Sequence, residues 1–301
     1  MCYLKRVKEH GADPRRNLAD LFGFLADDTR DSRPSRPGEK TGRDASESAK
    51  LGEACLEEGD YDGAVRHFRK ALEQGEPGDV RRRIDLAGAL EAADRASEAM
   101  REYGRAAKAS AEAPEPHVGL SDVYRRYGHF RDALRELERA IELEPDNAFY
   151  RFKMAELLRD LGERRAAVKY AQRAVELADG DGFYPYWLGD LLIEMRQFDD
   201  AVSAMRSALE LLPGDDFLYY RASVALWGAN RQKEAIQAVR LAGELNPEKH
   251  FYHGLLALYL RESGDAVAAD QEWARCAKMD AYDRAQLDDI ARFLDVKSLT
   301  V

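Results

Sequence analysis

Few side chains in this chain are spaced to do chemistry, and each has a plain structural alternative. His250 and His253, in the run HFYH, stand three apart at an expected helix start, where both rings would share a face. Two imidazoles on one face begin a metal site, but a metal needs further ligands and groups that orient them, and the neighbouring sequence offers none. The acidic doublets Asp199-Asp200 and Asp215-Asp216 fall at expected helix starts or turns, where negative charge favours the helix dipole. Catalytic carboxylate pairs require a pocket, which nothing in the sequence indicates. No Gly-rich phosphate loop, no G-x-S-x-G and no H-E-x-x-H occurs. Cys2, Cys55 and Cys276 are odd in number, far apart and form no C-x-x-C, which points to a reducing cytosol without a disulfide frame. The expectation is a chain with no catalytic residue, no metal and no cofactor.

What recurs instead is aromatic. Phe149, Phe183, Phe217 and Phe251 follow one another at intervals of 34 residues. Three positions after the leading Phe come Phe152, Tyr186 and Tyr220, and Tyr150, Tyr184 and Tyr252 stand beside the first row. Aromatics of this kind dominate binding hot spots because they bury much area at little entropic cost. The alternative is that they pack between neighbouring elements.

The elements that must position these rows show a fixed period. Alanine sits at Ala64, Ala99, Ala133, Ala167, Ala201, Ala235 and Ala269, with one gap of 35 and then five of 34. Seven positions after each comes a second small residue: Ala71, Ala106, Ala140, Ala174, Ala208, Ala242 and Cys276. Thirteen before the alanines stand Leu51, Leu86, Leu120, Met154, Leu188, Ala222 and Leu256, each followed by Gly, Ala or Ser. Gly59, Gly128, Gly162 and Gly264 share one position, where Asp94, Arg196 and Asn230 stand in the other units. An aromatic or bulky residue (Phe68, Tyr103, Leu137, Met205, Val239, Trp273) lies four after the first alanine, with Ala171 the exception. Apolar spacing of three and four predicts helices. The glycine row predicts a left-handed turn ending the first helix of each unit. Pro145, Pro213 and Pro247 predict stops after the second. A period near 34 means one helix-turn-helix unit stacked many times.

Residues 45–283 resemble the tetratricopeptide repeat, in about seven tandem units. The first reads Leu51-Gly52, Gly59-Asp60-Tyr61, Ala64, Phe68, Ala71-Leu72; the third reads Leu120, Tyr124, Gly128-His129-Phe130, Ala133, Ala140-Ile141, Pro145. The resemblance implies an all-α, right-handed α-solenoid of antiparallel helix pairs whose first helices line a concave groove. It also implies that the two aromatic rows face that groove. Phe149, Phe152, Phe183, Tyr186, Phe217, Tyr220 and Phe251 would form a strip there, with Glu156, Asp190 and Glu194 one turn further on. Aromatics beside carboxylates suit an apolar segment bearing Lys or Arg. Co-chaperones of this family that hold an acidic tail use Lys, Asn and Arg on three adjacent first helices. The matching positions here are Ala49 and Glu53, Ile84 and Gly88, Val118 and Asp122, so that clamp is missing. The asparagine ladder of sugar-transferase superhelices is missing too, its positions reading Lys50, Asp85, Gly119, Lys153, Trp187, Arg221 and Leu255.

A formal charge of −10 with no basic stripe argues against nucleic acid, which needs clustered Lys and Arg. No run approaches the ~20 apolar residues of a membrane span, and no apolar signal core follows the N-terminal charges. Residues 1–28 read as a separate segment with a short amphipathic helix at 17–27, serving as a cap, a docking motif or a tail in the groove. Residues 29–44, rich in Ser, Pro, Gly and charge, read as a flexible linker. Residues 284–301 read as a C-terminal capping helix with Leu287, Ile290, Phe293 and Leu294 on one face. The function expected is a non-catalytic cytoplasmic scaffold, adaptor or assembly factor binding a protein segment. The alternative is an accessory subunit of a multi-subunit enzyme.

Overall fold

The computed structural model describes residues 39–76 and 78–296. The 1–28 segment with its expected helix, most of the expected linker and residues 297–301 lie outside the described residues. The chain divides between Pro145 and Asp146 into two compact units. The first contains α1 (Glu39–Glu58), α2 (Tyr61–Gln74), α3 (Val80–Ala92), α4 (Ala96–Ala109), α5 (Glu115–Arg126) and α6 (Phe130–Leu143). The second contains α7 (Ala148–Asp160), α8 (Arg164–Leu177), α9 (Phe183–Glu194), α10 (Phe198–Leu211), α11 (Asp216–Gly228), α12 (Gln232–Leu245), α13 (His250–Glu262) and α14 (Ala266–Ala274). A 3₁₀ turn (Arg275–Lys278) and α15 (Ala281–Leu294) complete it. Helix α1 begins at Glu39, inside the stretch read as linker. The last proline before it is Pro37, and the charged residues that follow are compatible with helix.

Within each unit, helices α1 to α6 and α7 to α14 pack on their sequence neighbours, in pairs α1/α2, α3/α4 and α5/α6 in the first and α7/α8 to α13/α14 in the second. First helices also touch: α3 meets α5, and α9 meets α11. This is α-solenoid construction. The two helix classes bury differently. Second helices are amphipathic, and α6 buries only Ala133, Leu137 and Ala140. First helices α9, α11 and α13 lie between neighbours and are buried on most sides, as in α9, from Tyr184 to Ile193 apart from the half-exposed Asp190.

The small-residue rows are the helix contacts. All seven leading alanines are 0 % exposed. The bulky row packs on the small residue of the facing helix: a Cβ on Gly52 would lie 2.9 Å from the Phe68 ring, and one on Gly189 would lie 2.9 Å from Met205 Cε. The turn row is left-handed throughout. Gly59, Asp94, Gly128, Gly162, Arg196, Asn230 and Gly264 all have φ between 57° and 90°, and the next N–H reaches back to the last turn of the helix, as Asp60 N does to Cys55 O at 2.8 Å.

A polar latch joins the helices of several pairs at one shared register. Arg83 meets Glu102 at 2.9 Å, His117 meets Glu136 at 2.7 Å and His253 meets Glu272 at 2.8 Å. Arg151 lies over the Tyr170 ring at the same register. His253 is thus a helix–helix contact. Asp199 and Asp200 lie in the first turn of α10; Asp215 caps α11 through Phe217 N and Leu218 N, and buried Asp216 accepts from the Tyr252 hydroxyl.

Candidate functional site

The aromatic rows meet in the second unit through ring contacts, most of them edge to face, in two runs, one from Phe149 to Trp187 and one from Tyr186 to Phe251. Phe152 packs on Phe183 at 5.0 Å and on Trp187 at 5.2 Å; Tyr186 meets Phe217 at 5.8 Å; Tyr220 meets Phe217 at 5.4 Å and Phe251 at 5.2 Å. The series is not uniformly open, contrary to the expectation of a strip lying in solvent. Phe149, Phe152 and Phe183 are half-buried. Tyr186, Phe217, Tyr220 and Phe251 are buried, Phe251 to 1 % exposed. Each of those four packs on rings of the adjacent first helix, so burial proceeds by mutual stacking.

The carboxylate row also differs from expectation. Lys153 faces Glu156 at 3.6 Å, Arg159 faces Glu194 at 3.9 Å, and Arg221 forms an ion pair with Asp190. Burial opposes the Arg221 charge, yet Asp190 holds its pKa above the ordinary guanidinium range. Lys153 and Arg159 also stand over the Phe149 and Trp187 rings. All three acids have basic neighbours.

The C-terminal helix takes an unexpected place. It packs on α13 and α11, both first helices. Leu287 approaches Gly254 of α13, where a Cβ would lie 3.1 Å from Leu287 Cδ2 and 2.6 Å from Met279 Cε. Phe293 meets Phe198 at 6.1 Å, and Arg196 stands 4.8 Å over its ring while donating to its carbonyl. The shortened α14, continued by the 3₁₀ turn, brings Asp280 round to cap α15. The helix read as an end cap therefore covers part of the first-helix layer, at α11 and α13.

The first unit holds a polar group that the aromatic argument missed. Tyr103 of α4 is 6 % exposed. Its ring lies against Gly119 of α5, where a Cβ would fall 2.3 Å from Cζ, and its hydroxyl lies 3.8 Å from where a Cβ on Gly88 of α3 would stand. Burial pushes the Tyr103 phenol well above its usual range, with Glu91, Asp122 and Asp85 adding to the rise and Arg126 opposing it. Burial likewise raises Asp85 to about 6, Arg81 opposing and Glu53 and Asp79 adding. Two interior glycines, a tyrosine in the bulky row and a ladder-position aspartate were the available signals.

Asp85 carries a stability prediction. Its folded pKa of about 6 exceeds the ordinary 3.8, so the folded state holds the proton more tightly than the unfolded state. Its burial costs nothing below about pH 4, costs progressively more up to pH 6, and costs about 3 kcal/mol above that. Asp85→Asn should therefore raise the melting temperature at pH 7.5 and lose that advantage at pH 4. Equal effects at both pH values would contradict this.

A cleft of about 480 Å³ on the first unit is lined by residues including Arg95, Glu98, Tyr124 and His129. Within it Arg95 pairs with Glu98 at 2.8 Å. Among the described residues no three His, Cys, Asp or Glu side chains gather as a metal set, and no helix is long and apolar enough to cross a membrane.

Stacked helix pairs with a left-handed turn in each and a first-helix face bearing aromatic side chains define an α-solenoid repeat protein. Profiles of the tetratricopeptide repeat match residues 56–121, 114–157, 150–181 and 186–250, and the chain belongs to that family. Among solved structures, it is similar to the C-terminal part of a TPR repeat-containing protein from Cytophaga hutchinsonii. That match has 15% identity and a TM-score of 0.64, over 78% of this chain and 97% of that one. MamA from Desulfovibrio magneticus RS-1 matches at 22% identity and a TM-score of 0.51, over 57% of this chain and 96% of that one. A chain of the APC/C hetero-tetramer Cut9–Hcn1 matches at 15% identity and a TM-score of 0.53, over 82% of this chain and 48% of that one. These likenesses are of fold. A search of curated proteins found no match.

Proposed function

We propose that the chain is a non-catalytic interaction scaffold that holds an apolar segment of another protein on the first-helix face of its second unit. The observation that carries this reading is the half-buried trio Phe149, Phe152 and Phe183, seated on a buried aromatic series and flanked by ion pairs. Aromatics that are preorganised by their neighbours lose little freedom on binding. Membership of a repeat family supports it, since such arrays expose extended surfaces suited to binding. The Cut9–Hcn1 hetero-tetramer shows the same fold within a protein assembly. The free thiols Cys55 and Cys276 support a reducing, cytoplasmic setting, and the absence of a basic stripe argues against nucleic acid as ligand.

The test is selection of displayed peptides on the immobilised full chain, repeated with the Phe152→Ala, Phe183→Ala variant. Peptides enriched on the wild type and lost on the variant are expected, with apolar or aromatic anchors. No enrichment, or enrichment indifferent to the two substitutions, would refute the reading.

A further inference from the structure

We propose that the first-helix face at α11 and α13 is an interaction surface for an amphipathic helix of a partner protein, and that α15 is its resident occupant, seated there until such a helix displaces it. The inference rests on the scaffold reading and names a partner chemistry for the next stretch of the same face.

The seat is built into the repeat. The row Phe152, Tyr186 and Tyr220 continues after another 34 residues to Gly254, where the ring gives way to no side chain at all. Glycine inside a helix is disfavoured, yet Gly254 lies within α13, among its buried residues. The space is used by α15 and by the turn before it: a Cβ on Gly254 would stand 3.1 Å from Leu287 Cδ2 and 2.6 Å from Met279 Cε. Leu287 and Met279 thus reach the backbone at the position that carries a ring in the three preceding units.

The occupant defines the partner. Leu287, Ile290, Ala291 and Leu294 follow the spacing of one helical face and are buried or half-buried, whereas Asp288, Asp289, Arg292 and Asp295 are exposed. A helix laid into a groove is read through anchors at such three- and four-residue intervals. The hold on α15 is slight. It buries three of its fourteen residues, against ten of thirteen in α11 and nine of thirteen in α13, so α15 can leave while those two helices stay folded. Its far end is held at the surface, where the exposed Arg196 donates to the Phe293 carbonyl and stands over its ring. Ring contacts lead from α7 to α9 (Phe152 to Phe183), from α9 to α11 (Tyr186 to Phe217) and from α11 to α13 (Tyr220 to Phe251). A partner segment that crosses α7 and α9 therefore meets the α15 seat next.

The test uses the full chain opened by Leu287→Asp with Ile290→Asp, and as probe a fluorescein-labelled peptide spanning residues 281–296. Fluorescence anisotropy should show saturable binding of the peptide to the opened chain, and none for a peptide carrying the same two aspartates. The wild type should bind the peptide roughly tenfold more weakly or less, because its tethered α15 competes at high effective concentration. Gly254→Phe in the opened chain, which restores the ring of the row, should abolish binding. In an isotope-labelled wild-type chain saturated with unlabelled peptide, amide exchange in the chain's own α15 should speed up, which a permanent cap would not show. If the opened chain loses its helical circular dichroism, Arg196→Ala with Phe293→Ala, which loosens only the far end, takes its place and should bind the peptide more tightly than the wild type does. No binding to either loosened chain, equal affinity for loosened and wild-type chains, or unchanged exchange in α15 would overturn the proposal, as would a wild-type dimer that exchanges α15 between copies. Displayed peptides that still depend on Phe152 and Phe183 would leave the scaffold reading standing after that failure; if both tests fail, both fall.

Discussion

Tyr220→Ala should lower the unfolding free energy by ~3–5 kcal/mol, the range for truncating a large aromatic in a packed interior. Tyr220 is 2 % exposed and lies edge to face with Phe217 and Phe251, within 6.2 Å of Tyr252 as well. Removing the ring leaves three aromatic partners facing a void too specific in shape to collapse. Phe183→Ala, at a half-buried position, should cost ~1–2 kcal/mol, because part of that ring faces water already. Urea denaturation followed by circular dichroism measures both. A Tyr220→Ala cost below that of Phe183→Ala would mean the series is open where the structure closes it.

That ordering could not be read from spacing. Phe183 and Phe217 occupy the same register, as do Phe152 and Tyr220, yet one of each pair is half-buried and the other buried. The buried member of each pair stands on α11, on which α15 packs. The amphipathic pattern of residues 284–296 shows that one face must be covered but not which surface covers it. The alanine and turn rows, by contrast, were fully legible, because each landmark answers to a contact inside one helix pair: Ala133 and Ala201 at 0 % exposed, Asn230 and Arg196 left-handed where glycine stands elsewhere. The acidic row was legible as positions but not as chemistry. Lys153 and Glu156 are visibly neighbours on one helix, whereas Asp190 and Arg221 meet only across two. Tyr103 escaped notice because its packing joins residues of α3, α4 and α5, which are far apart in sequence.

Phe152→Ala combined with Phe183→Ala should weaken a selected ligand by about 100-fold, since truncating hot-spot aromatics costs ~2–4 kcal/mol at an interface. The same double variant should keep its helical content and most of its stability. The two rings contact each other at 5.0 Å, so their effects on binding should be less than additive in a double-mutant cycle. Isothermal titration at matched protein concentrations gives the affinities. Binding within threefold of the wild type would move the ligand off this surface, and loss of folding would show that the rings serve packing.

The central claim is that a protein segment binds the first-helix face, and the most direct measurement is amide hydrogen exchange of the full chain with and without a selected peptide. Side chains lining a bound segment slow local opening of the helices that carry them. The account predicts added protection in α7 and α9, the helices bearing Phe149, Phe152 and Phe183, with little change in α8 and α10. Protection confined to α8 and α10, on the outer face of the pairs, would contradict it.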